Sequence, residues 1–139
     1  MKQLVEEFKG RIHLVVKFAP YPYRDFAKAA SRAALAAREQ GAFWPMHEKL
    51  LENYRTLDQK KIEALIAELK LDRTKFLRDM EAQTTVARVE EDLRLCEKTA
   101  IYQTPTFFIN GRTVIGERSI EALRAIVSDE MELAQKGRK

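Results

Sequence analysis

Apolar residues recur at steps of three and four over long stretches of the chain, which predicts a largely helical protein. Residues with this spacing share one face of a helix, and that face packs on a core. Two stretches show the pattern clearly: Ile62, Leu65, Ile66 and Leu69, and then Val86, Val89, Leu93 and Cys96. The second stretch predicts a helix that runs to about Ala100.

The positions of glycines and an alanine-rich stretch predict three further helices. A short helix is predicted over residues 2–9 and ends at Gly10. Residues 25–40 are rich in alanine, the best helix former, and Gly41 ends the helix predicted there. Another helix begins at about Phe43.

Residues that accept hydrogen bonds from a first helical turn predict where three helices begin. Thr56 and Asp58 are both able to cap the helix that carries the first apolar stripe. Asp72 caps a short helix that runs through Met80, and Ser119 caps the last helix of the chain.

Three segments have the composition of strands. Residues 12–18 are apolar and β-branched, which predicts a strand buried on both faces for most of its length. Thr106–Ile109 and Arg112–Ile115 flank Asn110 and Gly111, a strong signal for a two-residue hairpin. The order is therefore helix, strand, helical block, hairpin and helix, which predicts an α/β fold.

Composition narrows the class of protein. The chain has 139 residues, of which 45% are hydrophobic and 33% charged, as expected for one folded domain. No apolar run approaches the roughly 20 residues of a membrane span, and the N-terminus lacks the apolar core of a signal peptide. The net charge of +4 is spread along the chain, with one basic cluster at 136–139. We therefore expect a cytoplasmic protein, as the chain is written, that binds neither membrane nor nucleic acid.

Four segments, in order and at suitable spacing, resemble the DsbA-like thioredoxin-fold family of thiol–disulfide oxidoreductases. They are Thr104–Arg112 with the hairpin, Phe18–Pro22, Gln40–His47, and Leu71-Asp72 followed by Phe76. The resemblance implies a thioredoxin-like fold in one domain over 1–139, with an inserted helical bundle at about 25–100. It also allows a periplasmic location for a longer natural product.

The chain departs from that family at its beginning. The family starts with a central strand and a Cys-x-x-Cys pair at the first helix, whereas residues 1–8 here align with the end of that helix. The resemblance implies that the missing strand lies between the strands at 12–18 and 106–109. Those two strands either close up and pair, or a partner covers the gap, or the strand lies on a longer natural chain. Exposed strand edges are templates for association, so we expect a homodimer.

The resemblance also points to a candidate site. It implies that Pro105 follows a cis bond and that Thr104 and Pro105 bind the backbone of an extended peptide or protein substrate; a purely structural turn is the alternative. No catalytic residue, metal ligand or cofactor is assigned. Cys96 is the one cysteine, on an apolar stripe near a helix C-terminus, where a thiolate is disfavoured, so we expect an inert core thiol.

Three functions remain open from the sequence. The first is a DsbA-like oxidoreductase family member that is redox-inactive in this chain because the cysteine pair is absent. The second is a peptide-binding or chaperone-like module, and the third is a relative of DsbA-like enzymes that use glutathione with a serine in place of the cysteine.

Other distinctive side chains have structural interpretations. His13 and His47 lack neighbouring ligands at metal-binding spacing. Phe43, Trp44 and Met46 are expected to fill the interface between the helical insert and the sheet. Tyr21 and Tyr23 belong either to a packed loop or to a peptide groove.

Overall fold

The computed structural model describes residues 1–24 and 26–137, which form seven helices and two strands. In chain order these are α1 (Lys2–Glu7), α2 (Ala27–Arg38), α3 (Phe43–Glu52), α4 (Gln59–Glu68), α5 (Arg73–Glu81), α6 (Gln83–Lys98), β1 (Thr106–Ile109), β2 (Arg112–Ile115) and α7 (Ile120–Lys136). The chain divides into two compact units. We call Met1–Lys17 with the chain from Thr99 onward the sheet unit, and Phe18–Lys98 the helical unit.

The sheet unit contains the predicted hairpin. β1 and β2 pair antiparallel, with Thr106 opposite Ile115 and Ile109 opposite Arg112. Asn110 and Gly111 join the strands with positive φ angles of 48° and 94°. A two-residue turn with both angles positive matches the twist of the strands, which is why an Asn-Gly pair is favoured there.

Helices α1 and α7 build the core of the sheet unit. Its buried centre is formed by Leu4 and Phe8 from the beginning of the chain and by Leu123 and Val127 from α7. Further side chains pack around this centre: Ile12, Phe107, Ile109, Ile120 and Met131. We call the nine residues together the α1–α7 cluster. Glu7 and Arg124 link the two helices with an ion pair of 2.6 Å, and this hydrogen bond raises the pKa of the Arg124 guanidinium.

The helical unit is organised around α2. Four alanines of this helix are fully buried, namely Ala33, Ala34, Ala36 and Ala37. Their small side chains leave room for α3, α5 and α6, which all contact α2. The larger buried residues of this core are Met46, Leu50, Ile62, Leu65, Ile66, Phe76 and Met80.

Polar side chains fix the helix ends at the predicted places. Asp58, and not Thr56, caps α4 by accepting a hydrogen bond from the Lys61 amide at 2.6 Å. Asp72 caps α5 and Ser119 caps α7 in the same way. The predicted start of α2 at Asp25 lies outside the described residues, and the helix is assigned from Ala27.

The prediction of a strand at 12–18 is wrong. In the described part of the chain, the only sheet is the β1–β2 hairpin. The segment still has the side-chain alternation of a strand. Ile12, Leu14, Val16 and Phe18 are half-buried, and the residues between them are exposed. The expectation of burial on both faces therefore fails as well. β-branched residues favour an extended backbone, but a strand also requires a partner, and β1 is not that partner. The two segments have not closed up and paired.

Candidate functional site

The segment before β1 holds the two residues expected to bind substrate. The Thr104–Pro105 peptide bond is cis, the isomer that the family resemblance implies. Thr104 is exposed and Pro105 is half-buried. The Pro105 carbonyl accepts a hydrogen bond from the Gly116 amide at 2.8 Å, and the Thr106 hydroxyl donates to the Gln103 carbonyl at 2.6 Å. Pro105 therefore continues the ladder of the hairpin by one residue.

The register of the hairpin determines which backbone groups face the other side of β1. Because the Pro105 carbonyl is hydrogen-bonded to the Gly116 amide, the hydrogen-bonded residue pairs of the ladder are those that contain Pro105, Phe107 and Ile109. Hydrogen-bonded and non-hydrogen-bonded pairs alternate in an antiparallel ladder. The amide and carbonyl groups of Thr106 and Phe108 therefore point away from β2. We call this side the open edge of β1, because the described chain places no strand beside it.

Residues 12–17, which belong to the same unit as β1, form a second segment with the side-chain alternation of a strand. Ile12 belongs to the α1–α7 cluster, as do Phe107 and Ile109 of β1. One end of the segment and one face of the hairpin thus lie on the same helical layer. The opposite face of the hairpin is uncovered within the sheet unit, where Phe108 is 56% and Ile115 51% exposed.

Cys96 belongs to the helical unit, whereas Pro105 belongs to the sheet unit. Cys96 lies on α6, and its side chain is 6% exposed. The thiol lies on the buried face of α6 that Val89 also occupies, as the apolar stripe predicts. It is a buried residue of the helical unit and not a member of the Pro105 site.

The aromatic residues of α3 are arranged differently from the prediction. Met46 is buried in the helical core, but Trp44 is 46% exposed, so its expected interior position is wrong. The Trp44 and Phe43 rings meet edge-on at 5.0 Å, and the His47 ring stacks on Phe43 at 5.6 Å. Burial lowers the pKa of His47, and the charge of Glu48 opposes this effect.

The remaining predicted residues form no chemical cluster. His13 is exposed in the extended segment. The rings of Tyr21 and Tyr23 stack at 5.2 Å, and Tyr23 is largely exposed. Residues 1–24 and 26–137 contain no group of three or more His, Cys, Asp or Glu side chains placed to hold a metal ion. Over the same residues, every helix is too short or too polar to cross a bilayer.

Asp92 is a buried charged residue that the sequence interpretation missed. Its carboxylate is 1% exposed, and it accepts a hydrogen bond from the Phe18 amide at 3.1 Å. Arg88, one turn earlier, places its Nε atom 3.5 Å from the other carboxylate oxygen. The signal was present in the spacing: Thr85, Val89, Asp92 and Cys96 are the buried residues of α6 and follow one another at steps of four, three and four.

Two solved structures share this architecture. A thioredoxin-like oxidoreductase from Silicibacter pomeroyi DSS-3 superposes with a TM-score of 0.77 at 25% identity, over 97% of this chain and 75% of that one. The catalytic domain of Proteus mirabilis ScsC superposes with a TM-score of 0.80 at 20% identity, over 95% of this chain and 74% of that one. The likeness to ScsC bears on the fold alone.

Curated relatives of two kinds match the sequence. The Na(+)/H(+) antiporter NhaA 1 of Salinispora arenicola is 37% identical over 132 residues, which are 92% of this chain and 20% of the antiporter. Disulfide bond formation protein D of Bacillus subtilis is 26% identical over 127 residues, which are 84% of this chain and 57% of that protein. The chain thus spans about a fifth of the antiporter.

A family model confirms the thioredoxin-fold resemblance. The model described as Thioredoxin matches residues 1–129, which include α1, the helical unit, the hairpin and most of α7. This match covers both compact units and agrees with the two structural superpositions. The chain therefore belongs to the thioredoxin family.

Proposed function

We propose that this chain binds an extended peptide strand along the open edge of β1, next to Thr104 and Pro105. The observation that carries the proposal is the register, which turns the amide and carbonyl groups of Thr106 and Phe108 away from β2. Exposed edges of this kind take an added strand through main-chain hydrogen bonds, and side-chain pockets give the specificity.

The surroundings of the edge favour an apolar strand. Alternate side chains of an added strand point to opposite faces of the sheet. One face would meet the α1–α7 cluster, and the other would lie beside Phe108, whose side chain is more than half exposed. A strand of β-branched residues suits both faces, because such side chains pack well on a pleated surface.

A synthetic strand tests the proposal directly. We expect acetyl-Lys-Val-Ile-Val-Val-Lys-amide to bind the chain saturably in isothermal titration calorimetry. Saturation at a hundred times the Kd would stabilise the chain by about 2.7 kcal/mol in thermal unfolding. The control peptide replaces the two central residues with proline, which removes amide donors and breaks strand geometry. Equal affinity for both peptides, or no binding of the first, would contradict the proposal.

A second copy of the chain is the occupant that we propose when no peptide is present. Two open edges joined by a two-fold axis make a symmetric homodimer. Sedimentation velocity at micromolar concentration is expected to show a dimer that the strand peptide converts to a monomer. If the chain is a monomer without peptide, the homodimer proposal is refuted, whereas the proposed peptide-binding site is unaffected.

The proposed function includes no disulfide exchange by this chain. Exchange requires an attacking thiolate and a resolving thiol, and the sequence holds one cysteine, whose side chain is buried. The parent chain and Cys96→Ala are therefore expected to reduce insulin equally slowly in the presence of dithiothreitol, both at the rate of the reagent alone. Turnover by the parent clearly above that of Cys96→Ala would refute redox inactivity.

A second candidate role follows from the antiporter relatives. The Salinispora arenicola antiporter is 37% identical over 92% of this chain, so a similar unit forms part of a protein named as an ion transporter. We propose that this chain also works attached to, or beside, a membrane transporter. An antibody against the chain, used on an immunoblot of cells that make it, tests the attached form. A native product of roughly five times this chain's length is expected, because the chain spans 20% of that relative, whereas a product of this size would exclude attachment.

A further inference from the structure

Asp92 is hydrogen-bonded to Phe18, the last residue of the extended segment at 12–18. Its Oδ2 atom accepts the Phe18 amide proton at 3.1 Å, a bond between residues 74 positions apart. The carboxylate is 1% exposed, so water contributes little to its solvation. A buried carboxylate is stable only where hydrogen bonds and opposite charge compensate it. The Phe18 amide and the Arg88 guanidinium are two of the groups that do so.

Two other contacts hold the same end of the segment. The Phe18 ring meets the Phe43 ring edge-on, with centroids 6.3 Å apart. Pro20, two residues further along, is buried. At its other end, the segment is held by Ile12, which packs against the buried centre of the α1–α7 cluster. The residues between are thus fixed at both ends, while their side chains alternate between half-buried and exposed.

We infer that Asp92 is a positioning residue for strand binding. By holding the amide of Phe18, which directly follows Lys17, it keeps residues 12–17 extended, so that this part of the sheet unit offers a second row of backbone groups to the strand that binds at β1. The Asp92 carboxylate accepts the Phe18 amide proton, as a carbonyl of a neighbouring strand would do inside a sheet. This inference rests on the proposed function, and it adds to it a residue of the helical unit.

Amide hydrogen exchange and peptide affinity together test this role. We expect Asp92→Leu, which has the same branched shape and no acceptor, to speed exchange of the Phe18 amide by roughly tenfold or more, the scale set by one lost hydrogen bond. Exchange in α2 and α5 should stay at the parent rate. The affinity for acetyl-Lys-Val-Ile-Val-Val-Lys-amide should fall by roughly tenfold, because the segment must then be ordered on binding.

Conservative and control variants separate positioning from general stability. Asp92→Asn keeps a carbonyl oxygen that can accept from the Phe18 amide, so it is expected to restore slow exchange and most of the affinity. Glu90→Leu makes the same acid-to-leucine change on the exposed face of α6 and should alter neither measurement. If Asp92→Leu does not fold, Asp92→Thr replaces it, because the threonine hydroxyl is one bond too short to reach the amide.

The possible outcomes are distinct. Parent-like exchange of the Phe18 amide in a folded Asp92→Leu would overturn the inference, and so would faster exchange with unchanged peptide affinity. If the parent chain binds no peptide, the proposed function fails. The exchange measurement then still decides whether Asp92 fixes the segment.

Discussion

Phe76→Ala is expected to destabilise the helical unit by about 3–5 kcal/mol, the range for removing a buried aromatic ring from a core. Phe76 lies on α5, has no exposed surface, and belongs to the core cluster that includes Met46, Ile62 and Met80. The lost ring would leave a cavity that the surrounding helices fill only in part. Urea unfolding followed by far-ultraviolet circular dichroism measures the change, because most of the helices belong to this unit.

Leu51→Ala is the matched control for the Phe76 variant. Leu51 is also an apolar helical residue of this unit, but 60% of it is exposed, so its truncation should change stability by no more than about 0.5 kcal/mol. Loss of less than about 1 kcal/mol in Phe76→Ala would mean that this core is not the packed centre of the unit.

Phe108→Pro is expected to abolish binding of the strand peptide while leaving the hairpin paired. The Phe108 amide points away from β2, so proline removes a donor from the open edge and none from the β1–β2 ladder. Its ring would also obstruct an approaching strand. Calorimetric titration with acetyl-Lys-Val-Ile-Val-Val-Lys-amide measures the loss, and Phe108→Ala separates the effect of the missing aromatic ring.

Thr113→Pro provides a geometric control on the neighbouring strand. Thr113 lies directly opposite Phe108, and its amide points away from β1 toward the far side of β2. The same substitution there should leave peptide affinity within about twofold of the parent, since strand addition through main-chain bonds depends on the edge that is used. If Thr113→Pro abolished binding and Phe108→Pro did not, the peptide would bind β2 instead.

The sequence predicted best those features that depend on short-range interactions. Asp72 and Ser119 were assigned as caps because a carboxylate or hydroxyl accepts from an amide three residues later, and both do so. Asn110-Gly111 specified its turn because both residues tolerate positive φ. Thr56 and Asp58 could not be separated in this way, because both side chains are able to accept from a first turn.

Features that depend on distant residues were harder to predict. The composition of residues 12–18 predicted a strand, and burial alternates along the segment as in a strand, but composition cannot show whether a partner strand lies beside it. Asp92 was missed because a charge on an apolar stripe looks like an interruption of the stripe. Only the folded chain brings the Phe18 amide to it across 74 residues. The prediction that Trp44 is interior failed for a related reason, since the exposure of this side chain depends on which elements cover α3.

The division of the chain into units determines the order in which contacts become possible during synthesis. The helical unit is one continuous stretch, Phe18–Lys98, so a ribosome delivers all of its helices before any of the hairpin. The sheet unit is discontinuous, and the Glu7–Arg124 ion pair joins residues 117 positions apart. Leu4 and Phe8 therefore emerge early and cannot contact Leu123 and Val127 until more than a hundred further residues have been added. During that interval the apolar face of α1 lacks its helical partner, so that a chaperone would have time to act on it.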